Sequence, residues 1–507
     1  MNRTPLRTHL ARTVGAAAAV TLTLAALGGC ASLPAGDSPT PIVVPAATPA
    51  AWQTPLPHQG ELTDLARWWA QFDDPLLARL IDSAQGVSAS VSSAGSRIAR
   101  SRATRVAAGA ALGPSLSAEA SAVRGTNSSG APNPASSLAA GLNAAWELDL
   151  FGGNAAARNA AQARLEGAQM QWHEARVSVA AEVAAQYTSL RACEAQLVQV
   201  RLDSASRAET ARLTGLSAKA GFQPPANAAL SRASAAQGNI QATQQAAQCE
   251  SLVKGLVALT GSDEPALRNA LAARSGVIAQ PAAIGVPAVP AALLRQRPDL
   301  GNAERELLAA SFDTTQAQAA RLPRVSLNGS IGAARVSAGG IGNNGGTDSD
   351  STWSLGPISV SLPLFDGGTR RANVVAARAR HADATVQYNA KLRGAVREVE
   401  DALLALQSTA ARSVDAQAAA EGFALSLRAT DARFKGGLAS LFELEDARRS
   451  AVLAQTTLID LQRERVAAWI ALYRALGGGW SDADSKLGSG WSDADSSLAS
   501  NAASSKN

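Results

Sequence analysis

Aromatic residues make up only 4% of the 507-residue chain, and histidine occurs four times, at His9, His58, His173 and His381. The histidines are widely scattered, with no Ser-His-Asp order, paired metal-ligand spacing or phosphate-binding loop beside them; His173 and His381 read as solvated helix residues. No catalytic centre, no cofactor and no metal site is therefore expected. Gly340-Ile341-Gly342-Asn343-Asn344-Gly345 does spell GxGxxG, but a dinucleotide fingerprint needs a strand before it and a helix after it. Here more Gly, Asp, Ser and Thr follow, which is loop composition. Beyond residue 30 there is no run of 18 apolar residues, which excludes a membrane-spanning helix. The apolar share is nevertheless 46%. It is carried mostly by Ala, which suits closely packed helices better than a large globular core.

The first 29 residues read as a secretory signal: Arg3, Arg7 and Arg12 precede an apolar run that ends at Cys30. Its last residues, Leu27-Gly28-Gly29-Cys30, resemble the bacterial lipobox, which implies a lipidated Cys30 at the mature N-terminus; the other reading is a plain signal-peptidase site. Ala31 and Ser32 lack the Asp that retains such lipoproteins at the inner membrane, so the outer membrane is the expected address. Removing three arginines lowers the formal charge from +5 to +2, so the high pI implies no nucleic-acid partner. Residues 30–66 read as an extended, lipid-anchored linker.

The remaining chain is duplicated, with a first repeat over 67–275 and a second over 276–476. LFGGN at Leu150–Asn154 recurs as LFDGG at Leu364–Gly368, Met170-Gln171-Trp172 as Val386-Gln387-Tyr388, and Gly221-Phe222 as Gly437-Leu438. Each repeat reads as strand, turn, strand, long helix, break, long helix. Apolar residues alternate from Leu138 to Leu150, then at Val325, Leu327, Gly329 and Ile331, and again at Ile358, Val360, Leu362 and Leu364. The first of these is long enough to cross a bilayer as a tilted strand, which takes about 9–11 residues. Taken strand by strand, a soluble hairpin fits as well. The polar loops around RGTNSSGAPNPASS and SAGGIGNNGGTDSDS have the composition of outward barrel loops.

No proline interrupts 155–217 or 369–434, and Val179, Val183, Tyr187, Leu190, Leu197 and Val200 keep a three-and-four spacing. Such helices form rods or the staves of a tube. Four strands cannot close a barrel alone, and lipid does not tolerate open sheet edges. The expected fold is therefore helical plus membrane β, with four β-barrel strands per chain running into long helical rods or tube staves. The junctions Phe151-Gly152-Gly153 and Phe365-Asp366-Gly367-Gly368 would turn each strand into its helix. Residues 477–507, with WSDADS at Trp480 and Trp491, read as a low-complexity disordered tail. Cys193 and Cys249 lie 28 residues on either side of Gly221, so a hairpin folded there brings them to one height. They are expected to form a disulfide or to remain two small buried thiols.

Several motifs resemble the outer-membrane factor family, the TolC-like and NodT-like exit ducts of efflux and secretion systems. RWWAQFDDPLLARLI at Arg67–Ile81 is similar to that family's opening motif, Val286–Gly332 to its mid-chain signature, and LFDGGTRRANVVAARAR to its second strand-to-helix signature. The resemblance implies that the staves close into a long α-helical barrel: a homotrimer with a twelve-stranded outer-membrane barrel above a twelve-helix periplasmic tunnel. It further implies a periplasmic adaptor and an inner-membrane pump as partners, with outer-membrane lipid around the barrel. The expected function is passage of small molecules out of the cell; a protein-secretion duct and a periplasmic coiled-coil scaffold are the alternatives. The resemblance also places Glu443, Asp446 and Phe434 near a channel aperture, the two acids three apart on one helical face. The same acids could simply complement the dipole of a new helix. Ala439 replaces an Arg that locks the closed state in some members.

Overall fold

A computed structural model describes residues 52–54, 65–125, 135–281, 296–338 and 347–478. Cys30, the GxGxxG stretch, the centres of both polar loops and the tail beyond 478 lie outside the described residues. Within them, a 3-10 helix at Leu65–Phe72 leads into α1 (Pro75–Val87) and α2 (Ala89–Ala110). The hairpin β1 (Ser115–Gly125) and β2 (Ala135–Leu148) follows, then α3 (Gly153–Lys219), α4 (Pro225–Thr260) and α5 (Glu264–Ala272). The second half repeats the order with α6 (Pro298–Ala319), β3 (Arg324–Ala338), β4 (Thr347–Ser361), α7 (Thr369–Lys435) and α8 (Leu441–Ala475). Both α3 and α7 are 67 residues long, and Gly153, Lys219 and Pro225 each recur 216 positions on, as Thr369, Lys435 and Leu441. Ala-rich, proline-free sequence sets these lengths, about 100 Å apiece. No described helix is long and apolar enough to cross a membrane.

The chain divides into two compact units, and each repeat contributes to both. One unit holds the sheet, with order β1-β2-β3-β4 and every neighbour antiparallel. Two strands end earlier than the alternation suggests. β2 stops at Leu148, because Leu150 turns back to donate to the Leu148 carbonyl at 2.8 Å. β4 stops at Ser361, leaving Leu362 and Leu364 outside; Pro363 has no N–H for a ladder, and the partner strand begins only at Arg324. Between Leu327 and Gly329 the register shifts, so that Asn328 faces both Gly356 and Pro357, the place in a strand where proline is accommodated.

The other unit is helical. Its core gathers Val179, Val183, Tyr187 and Leu190 of α3 with Leu256, Val399, Leu403, Val466 and Leu472, all buried. Leu197 and Val200, at the end of the expected seam, are only half-buried. The opening aromatics wedge against the end of α8: Trp68 meets Trp469 edge-on at 6.3 Å, and Trp69 meets Tyr473 at 4.7 Å. Asp74 caps α1 by accepting from Leu76 N at 3.1 Å and also accepts from the buried Tyr187 hydroxyl. Burial, then that bond to a carboxylate, pushes the Tyr187 phenol up to about 12. His173 is buried rather than solvated, edge-on to Trp172 at 4.9 Å. Gly477 and Gly478, placed in the tail by composition, instead close α8 by donating to the Arg474 and Tyr473 carbonyls, each at 3.0 Å.

Pro298 opens α6 as its first-turn position favours. Beside it Arg297, 6% exposed, donates to Asp299 Oδ1 at 3.0 Å and Oδ2 at 2.8 Å, to Glu398 at 2.8 Å and to the Ala475 carbonyl at 2.9 Å. One guanidinium thus joins α6, α7 and the end of α8. Burial alone would raise the Asp299 carboxyl, but the paired bonds from Arg297 outweigh it and hold it below the usual value. A depressed folded pKa stabilises fully above the unfolded value of about 3.9 and fades as pH falls through the folded one. Arg297→Met should cost about 1–3 kcal/mol at neutral pH by leaving the partly buried Asp299 carboxylate and the Ala475 carbonyl without their donor. Melting curves followed by circular dichroism should show its deficit against wild type shrinking between pH 7 and pH 3. A deficit independent of pH would detach Arg297 from this pairing.

Candidate functional site

The register sorts the sheet into two faces. Leu116, Ala118, Leu138, Leu142, Trp146, Val325, Leu327, Ile331, Trp353, Leu355, Ile358 and Val360 share one side. Ser117, Asn143, Glu147, Ser326, Ser330, Ser354 and Ser359 share the other, where Ser326 meets Ser359 at 2.6 Å and Ser330 meets Ser354 at 2.9 Å. The apolar side is not covered: Trp353 is 79% exposed and Leu355 78%. An exposed apolar sheet face of this extent marks an interaction with something apolar. The strands are 11, 14, 15 and 15 residues long, enough to cross a bilayer when tilted. Among the described residues both outer strands, β1 and β4, have one unpaired edge.

Each junction from strand to long helix holds a glycine turn and a carboxylate. At the first, Gly152 has φ +70°, Gly153 comes so near Ala319 that an added Cβ would sit 3.2 Å from its methyl, and Phe151 is exposed. Asp149 then accepts from Asn154 N at 3.1 Å and Ala155 N at 2.7 Å, capping α3. At the second, Gly367 and Gly368 have φ +63° and +90°, Phe365 is exposed, and Asp366 accepts from Gly368 N at 2.9 Å and Arg370 N at 3.0 Å. The Arg370 N–H foremost, then that of Gly368, holds the Asp366 carboxyl below its usual value. The two copies perform one task with aspartates at different places, before LF in one and after it in the other.

The helical turns are built alike as well. Phe222 N donates to Ser217 O at 2.9 Å around Gly221, and Leu438 N to Arg433 O at 2.8 Å around Gly437. Ser440 caps α8 in a reciprocal box: its hydroxyl accepts from Glu443 N at 3.2 Å, and Glu443 Oε1 accepts from Ser440 N at 3.2 Å. Those bonds hold the Glu443 carboxyl low, with Arg433 3.7 Å away. Glu443 and Asp446 are both exposed, and Phe434 is half-buried. Glu443 therefore does serve the new helix's first turn, while its side chain still faces outward.

Sequence reasoning passed over the acid between them. Glu445 Oε2 accepts from Arg207 Nη1 at 3.0 Å and Ser234 Oγ at 2.7 Å, and its Oε1 from Arg448 Nη1 at 2.9 Å. Arg207 also bonds Asp203 at 2.7 Å, and Arg448, 2% exposed, reaches Thr210 at 2.7 Å. This network fastens α8 to the α3–α4 hairpin. Its only sequence signal was the local pairing of Asp203 with Arg207 and of Glu445 with Arg448. On the same hairpin Cys193 and Cys249 have Cα atoms 5.6 Å apart, inside the range a disulfide spans, and both are buried.

Residues 80–262 and 289–478 match the profile of the outer membrane efflux protein family. Among curated relatives, the outer membrane protein OprJ of Pseudomonas aeruginosa is 30% identical, the match covering 90% of this chain and 95% of OprJ. The toluene efflux pump outer membrane protein TtgI of Pseudomonas putida is 29% identical, over 90% of this chain and 96% of TtgI. Among solved structures, the outer membrane protein VceC of Vibrio cholerae superposes with a TM-score of 0.68 at 26% identity, covering 82% of this chain and 99% of VceC. With a match over most of its length, its duplicated helices and its four-stranded antiparallel sheet, the chain belongs to the outer membrane efflux protein family.

Proposed function

We propose that the chain is the outer-membrane exit channel of a tripartite efflux system, passing small molecules received from an inner-membrane pump through a periplasmic adaptor. The observation that carries this reading is the sheet: an exposed apolar face, a polar face and two unpaired edges. Three copies join β4 of one to β1 of the next and close twelve strands, with the apolar face toward lipid and the polar face lining a pore. The long helices continue the conduit into the periplasm. The relative TtgI, named as the outer membrane protein of a toluene efflux pump, supports the pump and adaptor as partners. Lipid on Cys30 anchors each copy to the inner leaflet of the outer membrane. Purified protein in planar bilayers should give discrete, long-lived conductance steps; protein that stays monomeric and never conducts would end the channel reading. Mass spectrometry of the mature N-terminus should find an acylated Cys30, and an unmodified N-terminus beginning elsewhere would remove the anchor alone.

Phe151, Gly152 and Gly153 with Phe365, Gly367 and Gly368 form the collar where strands become helices, and Glu443, Asp446 and Phe434 sit by the aperture at the far turn. Exposure of both acids, repeated three times about an axis, supports rings of like charge that favour cations. Glu443→Ala with Asp446→Ala should weaken cation selectivity or raise conductance in the same recordings; unchanged values would leave the aperture assignment without support. Cys193 and Cys249 form a disulfide that ties α3 to α4, as their separation supports. Non-reducing peptide mapping should recover the two cysteines in one linked pair, whereas two alkylatable thiols would show an open hairpin.

A further inference from the structure

Charge on the sheet is sorted by face. Glu119, Glu147, Arg324 and Asp350 belong to the polar face. Among described residues the apolar face carries two charges, Arg124 and Arg335, and both are basic. Both sit at the hairpin end of the sheet, opposite the helix junctions: Arg124 is next to last in β1, and Arg335 lies three residues before the end of β3. Both are exposed, and neither forms an ion pair or side-chain hydrogen bond with a described residue. An arginine on the lipid face costs about 2–4 kcal/mol at the bilayer midplane but only about 0–1 kcal/mol near the interface. The rim therefore tolerates them, yet tolerance does not explain why both are cations without a partner.

Register fixes their spacing. Arg335 lies opposite Leu138, Leu138 lies opposite Ala122, and Arg124 follows two residues later, opposite Ser136. Two strand spacings across and two residues along separate the Cα atoms by about 12 Å. Two long side chains close that gap around a headgroup, and each guanidinium presents a planar fork that matches phosphate oxygens. Resting on the channel reading, which turns the apolar face to lipid and the hairpin end outward, we infer that Arg124 and Arg335, with the Ser136 hydroxyl between them, bind the phosphates of an outer-leaflet glycolipid carrying two phosphate groups.

The test adds bisphosphorylated lipid A, its monophosphorylated form or phosphatidylethanolamine to the full-length protein in detergent and counts bound lipid by native mass spectrometry. Wild type should retain the bisphosphorylated lipid best, and Arg124→Gln with Arg335→Gln should cut that retention at least fivefold without changing phosphatidylethanolamine. Equal retention by wild type and variant, or equal retention of all three lipids, overturns the site. Displacement by millimolar inorganic phosphate also overturns it, because a free anion rather than a lipid would then be the ligand. Bilayer conductance separates this inference from the reading beneath it. A variant that conducts normally and retains lipid normally removes the lipid site alone, whereas wild type that never conducts removes the channel.

Discussion

The unpaired edges of β1 and β4 are the constraint on which the proposed architecture depends. A sheet with one exposed apolar face belongs in lipid, and there each unsatisfied backbone N–H or C=O costs several kcal/mol. Four strands of 11 to 15 residues cannot curl far enough to satisfy their own edges. The free edges are the first and last strands of one antiparallel run, so a neighbour's β4 can continue the ladder at β1. That contact is heterologous, and a heterologous contact ends either in a closed ring or in an open filament. In lipid only the ring leaves no edge.

Duplication then follows a physical logic. One repeat supplies a hairpin and two long helices, and the pairing of β2 with β3 joins the hairpins without any other chain. Copying preserved lengths, with α3 and α7 at 67 residues each, but not details. The capping carboxylate moved from before LF at Asp149 to after it at Asp366, because a helix N-terminus needs an acceptor near its first N–H groups whatever the donor's place in the motif. The buried ion network draws on both copies: Arg448 and Glu445 come from α8, while Arg207 and Ser234 come from the first repeat's hairpin. The two repeats are equal as scaffolds and complementary as partners.

Much of this was legible in residue patterns. Absence of proline bounded the long helices to within two residues, expected over 155–217 and 369–434 and found over 153–219 and 369–435. Strand ends were less legible, because alternation continues through Leu150 and through Leu364 after the ladder has lost its partners. Periodicity reports which face a residue takes, not whether a neighbour is present to pair with it. His173 was misplaced for a related reason: its burial is set by tertiary neighbours of α3, and one sequence carries no sign of them. Arg297 escaped notice because its partners, Asp299, Glu398 and the Ala475 carbonyl, lie as far as 178 residues away.

Glu443, Glu445 and Asp446 show why adjacency in sequence is a poor guide to shared function. A helix rotates about 100° per residue, so three acids within four positions face different surroundings. Glu443 is at N3, where Ser440 and Arg433 already draw on its charge. Glu445 turns inward and is consumed by two arginines and a serine. Asp446 alone stays exposed with no ion pair among described residues. A ring of charge at this turn would therefore draw its potential chiefly from Asp446, with Glu443 contributing a carboxylate half-neutralised by the cap it completes. The acid that completes the cap and the acid left without an ion pair among described residues are separated by a single turn.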